Sequence, residues 1–187
     1  LGGLRTAADN AFYSFDPQAF QVSKKTQQPY SQRSGMSGEY IGSGKFLLSG
    51  GQLANGAASS AVYEFNAAQL TITQKADIPQ GTALYGHTTI TDTINHKAYI
   101  FGGLNGSESN NFSCYEYNTQ TNSWGFGPSI QNYPQNEWTA FPASGNIPNS
   151  NEIFIAGGQK YSTNKSTNSI FFSSNLYTVN VVNGNLT

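Results

Sequence analysis

The sequence has little charge, a single cysteine and no long hydrophobic run. Only 10% of its 187 residues are Lys, Arg, Asp or Glu, and nine basic against ten acidic side chains give a formal net charge of −1. Charge this sparse and balanced excludes a basic surface for nucleic acid or an anionic membrane. One cysteine, Cys114, cannot form a disulfide within the chain. No apolar run approaches the roughly 20 residues of a membrane-spanning helix.

Neutral polar and aromatic residues take the place of the missing charge. Asn, Gln, Ser and Thr fill 70 of the 187 positions, aromatic residues account for 13%, and there are 20 glycines. Helical bundles are rich in Ala, Glu, Lys and Leu instead, whereas aromatic residues favour strands, and Gly and Asn favour turns. The composition therefore predicts an all-β fold of short strands joined by turns.

Four double glycines divide the chain into repeating units. Their first residues are separated by 48, 52 and 55 positions, and three of the pairs close a short apolar run. The pairs are Gly2-Gly3, Gly50-Gly51, Gly102-Gly103 and Gly157-Gly158. A self-similar period near 50 residues indicates a repeat architecture.

Each unit continues with the same elements after its glycines. A polar loop leads to an alternating strand, a tight turn follows, and a last short strand carries a large apolar residue. We assign Phe20, Leu70, Trp124 and Leu186 to that last position. Another strand candidate precedes three of the glycine pairs. A complete unit thus has four antiparallel strands, designated a to d, and its strand b ends in Gly-Gly.

The unit from Tyr85 to Trp124 resembles a kelch repeat. It reads Tyr85-Gly86-His87-Thr88-Thr89-Ile90, then Lys97-Ala98-Tyr99-Ile100-Phe101-Gly102-Gly103, then Tyr115-Glu116-Tyr117 and Trp124. The resemblance extends over essentially the whole chain. It implies a partial β-propeller of four-stranded antiparallel blades, with strand a lining the central channel. Residues 1–24 would form the outer half of a blade, and residues 34–75, 84–127 and 137–187 would form complete blades.

About three and a half blades are fewer than the four or more that a closed ring needs. We therefore expect this chain to be a fragment of a longer polypeptide that contains the missing blades. The alternative is an assembly in which another chain supplies them.

Residues that catalysis or metal binding would need are scarce. His87 and His96 lie nine positions apart, and no Cys/His cluster accompanies them. Cys114 opens an outer strand, where the expected role is that of a small buried hydrophobe. An enzyme resembling galactose oxidase would need a Tyr–Cys cross-link and two converging His, which one strand–turn unit does not easily supply. We predict no catalytic residue, no metal and no cofactor.

Kelch propellers have one face formed by the loops between strands b and c and between strands d and a. Loops on a rigid frame commonly carry binding residues, and Arg and aromatic residues are enriched at binding hot spots. The binding candidates on these loops are Arg33, Tyr85, Trp138 and Tyr161. Packing between blades is the alternative role for Tyr85 and Trp138.

Four sequons of the form Asn-x-Ser/Thr begin at Asn105, Asn111, Asn164 and Asn185. Together with the low charge, they favour a secreted or cell-surface glycoprotein. A cytoplasmic protein in which none of them is modified is the alternative.

Two functions stay open at this point. The first is a non-catalytic kelch scaffold that binds a protein partner or assembles with copies of itself, because a structural repeat is present and a catalytic constellation is not. The second is a carbohydrate-handling propeller, either a lectin-like module or the frame of a galactose-oxidase-like or sugar-isomerase enzyme. The aromatic, Asn-rich loops motivate the second.

Overall fold

The computed structural model describes residues 11–27, 31–79, 82–107, 113–128, 140–147, 150, 152–161 and 170–180. The described residues form 17 strands and no helix, which confirms the all-β fold. Accordingly, none of them belongs to a helix that could cross a membrane.

The strands are short and follow one another in a regular order. In chain order they are β1 (Ala11–Asp16), β2 (Gln21–Gln27), β3 (Arg33–Ser34), β4 (Ser37–Gly42), β5 (Lys45–Ser49), β6 (Gln52–Leu53), β7 (Val62–Asn66), β8 (Thr71–Gln74), β9 (Thr88–Asp92), β10 (Lys97–Phe101), β11 (Tyr115–Asn118), β12 (Ser123–Phe126), β13 (Ala143–Asn146), β14 (Glu152–Ala156), β15 (Gln159–Tyr161), β16 (Ile170–Phe172) and β17 (Leu176–Asn180).

Two complete four-stranded antiparallel sheets form the centre of the described structure. Blade 1 has the strand order β4-β5-β7-β8, and blade 2 has the order β9-β10-β11-β12. Both orders match the predicted sequence of strands a to d, and both sheets lie within the predicted units 34–75 and 84–127. Outside the blades, the two-residue strands β3 and β6 pair with each other, and β15 pairs with β16 in the loop between β14 and β17.

A third sheet and an N-terminal hairpin flank these blades. Blade 3 consists of β13, β14 and β17, and its predicted outer strand around Leu186 lies outside the described residues. Strands β1 and β2 form a separate hairpin, as expected for strands c and d of the unit 1–24. The unit boundaries themselves stay predictions.

The turn between strands c and d is built in the same way in the hairpin and in both complete blades. Asp16, Asn66 and Asn118 each end strand c, and the side-chain Oδ1 accepts hydrogen bonds from the backbone N–H groups two and three residues later. Short Asx side chains favour this arrangement because they can satisfy the turn's backbone donors locally. The turn therefore fixes the register of the outer strand.

This register corrects the assignment of the large apolar residue on strand d. Phe20 and Leu70 do not correspond to Trp124, because they lie in the turn at positive φ, where blade 2 has Asn122. The counterparts of Trp124 in the pairing are Val22 and Ile72, two residues later. In the hairpin and in blade 1, the largest apolar residue therefore lies two positions before the position of strand d that matches Trp124. That position is the sixth residue after Asp16, Asn66 or Asn118.

The main hydrophobic cores lie between successive blades. Between blades 1 and 2, Leu47 and Val62 pack with Ala98, Ile100 and Tyr117, and Trp124 lies against this cluster. Indole Nε1 of Trp124 donates a hydrogen bond of 2.8 Å to Ala76 O. Between blades 2 and 3, a second cluster contains Ile90, Tyr99, Phe101, Cys114, Ile153, Ile155 and Val179. Each blade is thus stabilised by burial against its neighbours.

Polar side chains join the innermost strands of successive blades. Thr91 Oγ1 of blade 2 donates to Tyr40 O of blade 1, and Asn146 Nδ2 of blade 3 donates to Thr91 O. The Thr88 and Ser144 hydroxyls are also hydrogen-bonded to each other. These bonds satisfy partly buried polar groups between the first strands of the blades and hold the blades in register.

Candidate interaction face

One face of the molecule is formed by the loops that connect strands b to c and strands d to a. We call it the loop face and define it as residues 31–36, 52–60, 82–87, 104–107, 140–142 and 159–161. Backbone pairs join these loops: β3 with β6, Ser59 with Leu84, Tyr85 with Leu104, and Ala140 with Gln159. The loops are therefore tied to one another as well as to the blades, which gives this face a rigid frame.

A chain of backbone hydrogen bonds crosses the loop face from blade to blade. Gly86 N donates to Gly35 O, and Phe141 N donates to Gly86 O. Each of the three residues stands two positions before the first strand of its blade, and their φ angles are 62°, 63° and 56° for Gly35, Gly86 and Phe141. Glycine adopts such angles freely, whereas a bulky side chain is strained there. Phe141 is thus a phenylalanine at a position that requires positive φ.

The ring of Phe141 lies over the two equivalent glycines. A Cβ at Gly86 would lie 2.8 Å from Phe141 Cζ, and a Cβ at Gly35 would lie 3.3 Å from its Cε1. Tyr85 meets the same ring edge-on, with centroids 6.5 Å apart. Even so, Phe141 is 47% exposed. The ring is thus half-exposed on one side and packs closely against Gly35 and Gly86 on the other.

Of the predicted binding residues, Arg33 is buried in the frame of the face. It is only 6% exposed, and its Nη1 donates to Gly50 O at 3.1 Å and to Ser59 Oγ at 2.9 Å. Its guanidinium also lies 5.5 Å from the centroid of the Tyr63 ring. These contacts assign Arg33 to holding loops together. A role in binding stays an untested prediction.

The structure describes only some of the other predicted binding and glycosylation residues. Tyr85 is buried and packs with Leu104 and Ala140, in keeping with its packing alternative. Tyr161 ends β15, and its side chain is outside the described set. Trp138, Asn111, Asn164 and Asn185 lie outside the described residues altogether. Asn105 lies in the loop after strand b of blade 2, partly exposed, beside the exposed Gly106 and Ser107.

The double glycines make room for His87. A Cβ at Gly103 would lie 2.8 Å from His87 N, and a Cβ at Gly50 would lie 2.6 Å from His87 Cε1. Both glycines also have positive φ, 83° and 61° respectively. Strand b must therefore end in glycine in blades 1 and 2, because His87, at the start of strand a of blade 2, passes directly against Gly50 and Gly103.

His87 belongs to a buried polar chain between blades 1 and 2. Its Nε2 lies 2.8 Å from Ser49 Oγ, which lies 3.2 Å from Thr89 Oγ1. Nδ1 of His87 is buried without a hydrogen-bond partner among the described residues. A bare acceptor costs less than a bare N–H donor, so the proton belongs on Nε2, which donates to Ser49. Burial lowers the pKa of His87 to about 4, and the ring is neutral at physiological pH.

A comparison with protein families identifies the repeat. The model described as the kelch motif matches residues 91–130, which contain strands β10, β11 and β12 of blade 2. These residues are a kelch repeat. Blade 1 repeats the strand order, the Asx turn and the Gly-Gly end of this kelch unit, and blade 3 repeats its first three strands. No curated protein matches the sequence.

Charge is distributed unevenly over the kelch blades. The defined loop-face segments contain no Asp or Glu, and their Lys and Arg residues are Lys160 and the buried Arg33. The strands, in contrast, carry the cross-strand ion pairs Lys45–Glu64 and Lys97–Glu116, at 2.9 and 3.0 Å. The same loops continue in the sequence into residues that include Glu108 and Glu137.

A cavity of about 460 Å³ lies on the side of blade 2 that faces blade 3. Its lining includes Tyr99, Glu116 and Pro128. The equivalent positions of blade 1 are Leu47, Glu64 and Ala76, and there Trp124 and Tyr117 of the next kelch unit fill the space.

Candidate chemistry is sparse in the described parts of the chain. No three His, Cys, Asp or Glu side chains among them are close enough to hold a metal ion. Cys114 is 7% exposed and packs in the core between blades 2 and 3, which confirms its expected role. Burial raises the pKa of its thiol far above the usual range, so it is a poor nucleophile. His96 is exposed in the turn between β9 and β10, away from the buried His87.

Proposed function

We propose that this kelch-repeat protein is a non-catalytic scaffold whose loop face binds a protein partner. Kelch repeats generally mediate protein interactions, which supports the class of function. The finer proposal is that the partner contacts the loop face at Phe141. The carbohydrate-handling alternative stays a prediction without a specific observation in its favour.

Phe141 carries this proposal. A phenylalanine at positive φ costs conformational energy, of the order of 1 kcal/mol or more, and the equivalent positions of blades 1 and 2 avoid that cost with glycine. Because the ring is 47% exposed, burial within the chain offsets only part of the cost. Exposed aromatic rings on a rigid surface are among the residues that serve as interface hot spots.

Selection from a random peptide library displayed on phage would test this proposal. The library is panned on the purified chain, and selected peptides are measured against wild type, F141G and F20G. Phe20 is the matched control, because it also has positive φ and is 83% exposed but lies in the β1–β2 turn. F141G should weaken binding at least about tenfold, the size expected for loss of a hot-spot ring. Equal binding to wild type and F141G would refute the proposal.

We also propose that the protein is secreted or displayed at the cell surface as a glycoprotein. Asn105 supports this proposal, because its sequon lies in a loop where Gly106 and Ser107 are exposed. The chain should be produced through a eukaryotic secretory pathway, and its intact mass measured before and after N-glycosidase treatment. A mass loss that shrinks in N105Q would support the assignment. An unglycosylated secreted chain would contradict it.

A further inference from the structure

Two Asn-Gly pairs occupy equivalent loops of blades 1 and 2. Asn55-Gly56 and Asn105-Gly106 both lie in the loop that joins strand b to strand c. In each, the Asn Oδ1 accepts a hydrogen bond from the backbone two residues later, from Ala57 N at 3.1 Å and from Ser107 N at 2.9 Å. Both side-chain carbonyls are therefore polarised by the same kind of donor.

The two glycines differ in what their backbone atoms contact. Gly56 N donates to Leu53 O at 2.9 Å, and Gly56 O accepts from Gln52 Nε2 at 3.1 Å. Gly106 N has no hydrogen-bond acceptor among the described residues, and a Cβ at Gly106 would have no heavy atom closer than 3.8 Å. The nitrogen after Asn55 is thus restrained, whereas the nitrogen after Asn105 is unrestrained by its described surroundings.

We propose that Asn105 is a site of spontaneous deamidation on the loop face. Gly106 N attacks Asn105 Cγ, the new N–Cγ bond closes a five-membered succinimide, and the Cγ–Nδ2 bond breaks. The side-chain nitrogen leaves as ammonia with the proton from Gly106 N. Water then opens the ring at either carbonyl, which yields aspartate or isoaspartate. Glycine permits the required backbone rotation because it has no Cβ.

The modification adds a negative charge to a loop whose sequence already contains Glu108, three residues after Asn105. Asn105 follows Leu104, whose backbone pairs with Tyr85, and Tyr85 packs against Phe141. The new carboxylate therefore appears two contacts away from the exposed ring. The proposal stands on the loop geometry alone and does not depend on partner binding. It concerns chains in which Asn105 carries no glycan, because a glycosylated Nδ2 cannot leave as ammonia.

Peptide mapping by mass spectrometry tests the proposal, with Asn55 as the internal control. The chain is produced in bacteria, so that Asn105 carries no glycan, and is incubated in mildly alkaline buffer made with ¹⁸O-water. Asn105 should convert about fivefold faster than Asn55, the factor that corresponds to one net hydrogen bond of about 1 kcal/mol. Equal rates, or faster conversion of Asn55, would overturn the proposal.

Two further measurements separate the folded structure from local sequence. In concentrated urea the two rates should converge, because the bond from Gly56 N to Leu53 O is lost on unfolding. In native buffer, G106A should slow conversion of Asn105 severalfold and leave Asn55 unchanged, since the added methyl hinders attack and has space in the fold. A rate difference that persists unchanged in urea, or a G106A chain that converts as fast as wild type, would contradict the proposed cause.

Discussion

We expect the folded protein to lose stability in acid, because His87 is buried in its neutral form. The ring is buried between blades 1 and 2, and burial lowers its pKa from 6.5 to about 4. Among the described residues no carboxylate is hydrogen-bonded to the ring, whose Nε2 lies against Ser49 Oγ. The cation Arg33 is hydrogen-bonded to Gly50 O, next to the ring. Protonation therefore adds a charge without a counter-charge.

The sign and the size of this effect follow from the two pKa values. Because the folded-state pKa is depressed, His87 contributes its full stability above the unfolded pKa of 6.5, and loses it as the pH falls through about 4. A shift of about 2.5 pKa units corresponds to about 3 kcal/mol at 1.36 kcal/mol per unit. That is a substantial part of the 5–15 kcal/mol typical of a folded domain.

Urea unfolding of wild type and H87Q across this pH range measures the contribution. Gln can still offer an amide to Ser49 but does not titrate. The difference in unfolding free energy between wild type and H87Q should fall by about 3 kcal/mol from neutral pH to about pH 4. Carboxylate effects shared by both proteins cancel in this difference. The exposed His96 provides the control, and H96N should keep the wild-type profile.

A difference that stays constant across the pH range would refute the reasoning. So would a His87 pKa near 6.5 when measured by NMR in the folded protein. In that case the ring would be solvated or paired, and the close packing against Gly50 and Gly103 would not hold in solution.

Three other changes probe the repeat architecture. W124F removes the indole hydrogen bond to Ala76 and should cost about 1 kcal/mol in urea unfolding, whereas I94S, at a side chain that is 86% exposed, should change stability by less than about 0.5 kcal/mol. L70G removes the strain of a non-glycine residue at φ 54° and should raise the free energy of unfolding by about 1 kcal/mol. A lower urea midpoint than wild type would show that packing of the half-exposed leucine outweighs this strain. The β1–β2 hairpin exposes the apolar side chains of Phe15 and Val22, so light scattering should detect self-association that grows with protein concentration. The double variant F15S/V22S should reduce it, and a wild-type monomer at all concentrations would contradict this expectation.

Much of the fold could be predicted from sequence because the repeat signals are local. A short apolar strand that ends in Gly-Gly, and an Asx turn after strand c, each specify conformation over a few residues. The register of strand d was missed because hydrophobic size was used in place of distance from the turn. Phe20 and Leu70 are large, but the turn holds them at positive φ, which no local size pattern reveals.

The candidate site was less predictable because it depends on contacts between distant loops. Arg33 has the residue type of a binding hot spot, but its partners, Gly50 and Ser59, are 17 and 26 residues away. Phe141 was missed as a binding candidate. Its signal was present in the sequence: aligning the residue two positions before each strand a places Gly35, Gly86 and Phe141 together, and the exception is the residue of interest.

Phe141 also makes the three described blades distinguishable from one another on the loop face. Repeated blades present nearly the same backbone to a ligand, so a partner that read only the shared loop geometry could dock in several rotated positions about the channel axis. Phe141 differs from its two counterparts in the described blades and so breaks this rotational equivalence. If a partner binds the loop face as proposed, one large side chain at one of the three described positions favours a single orientation.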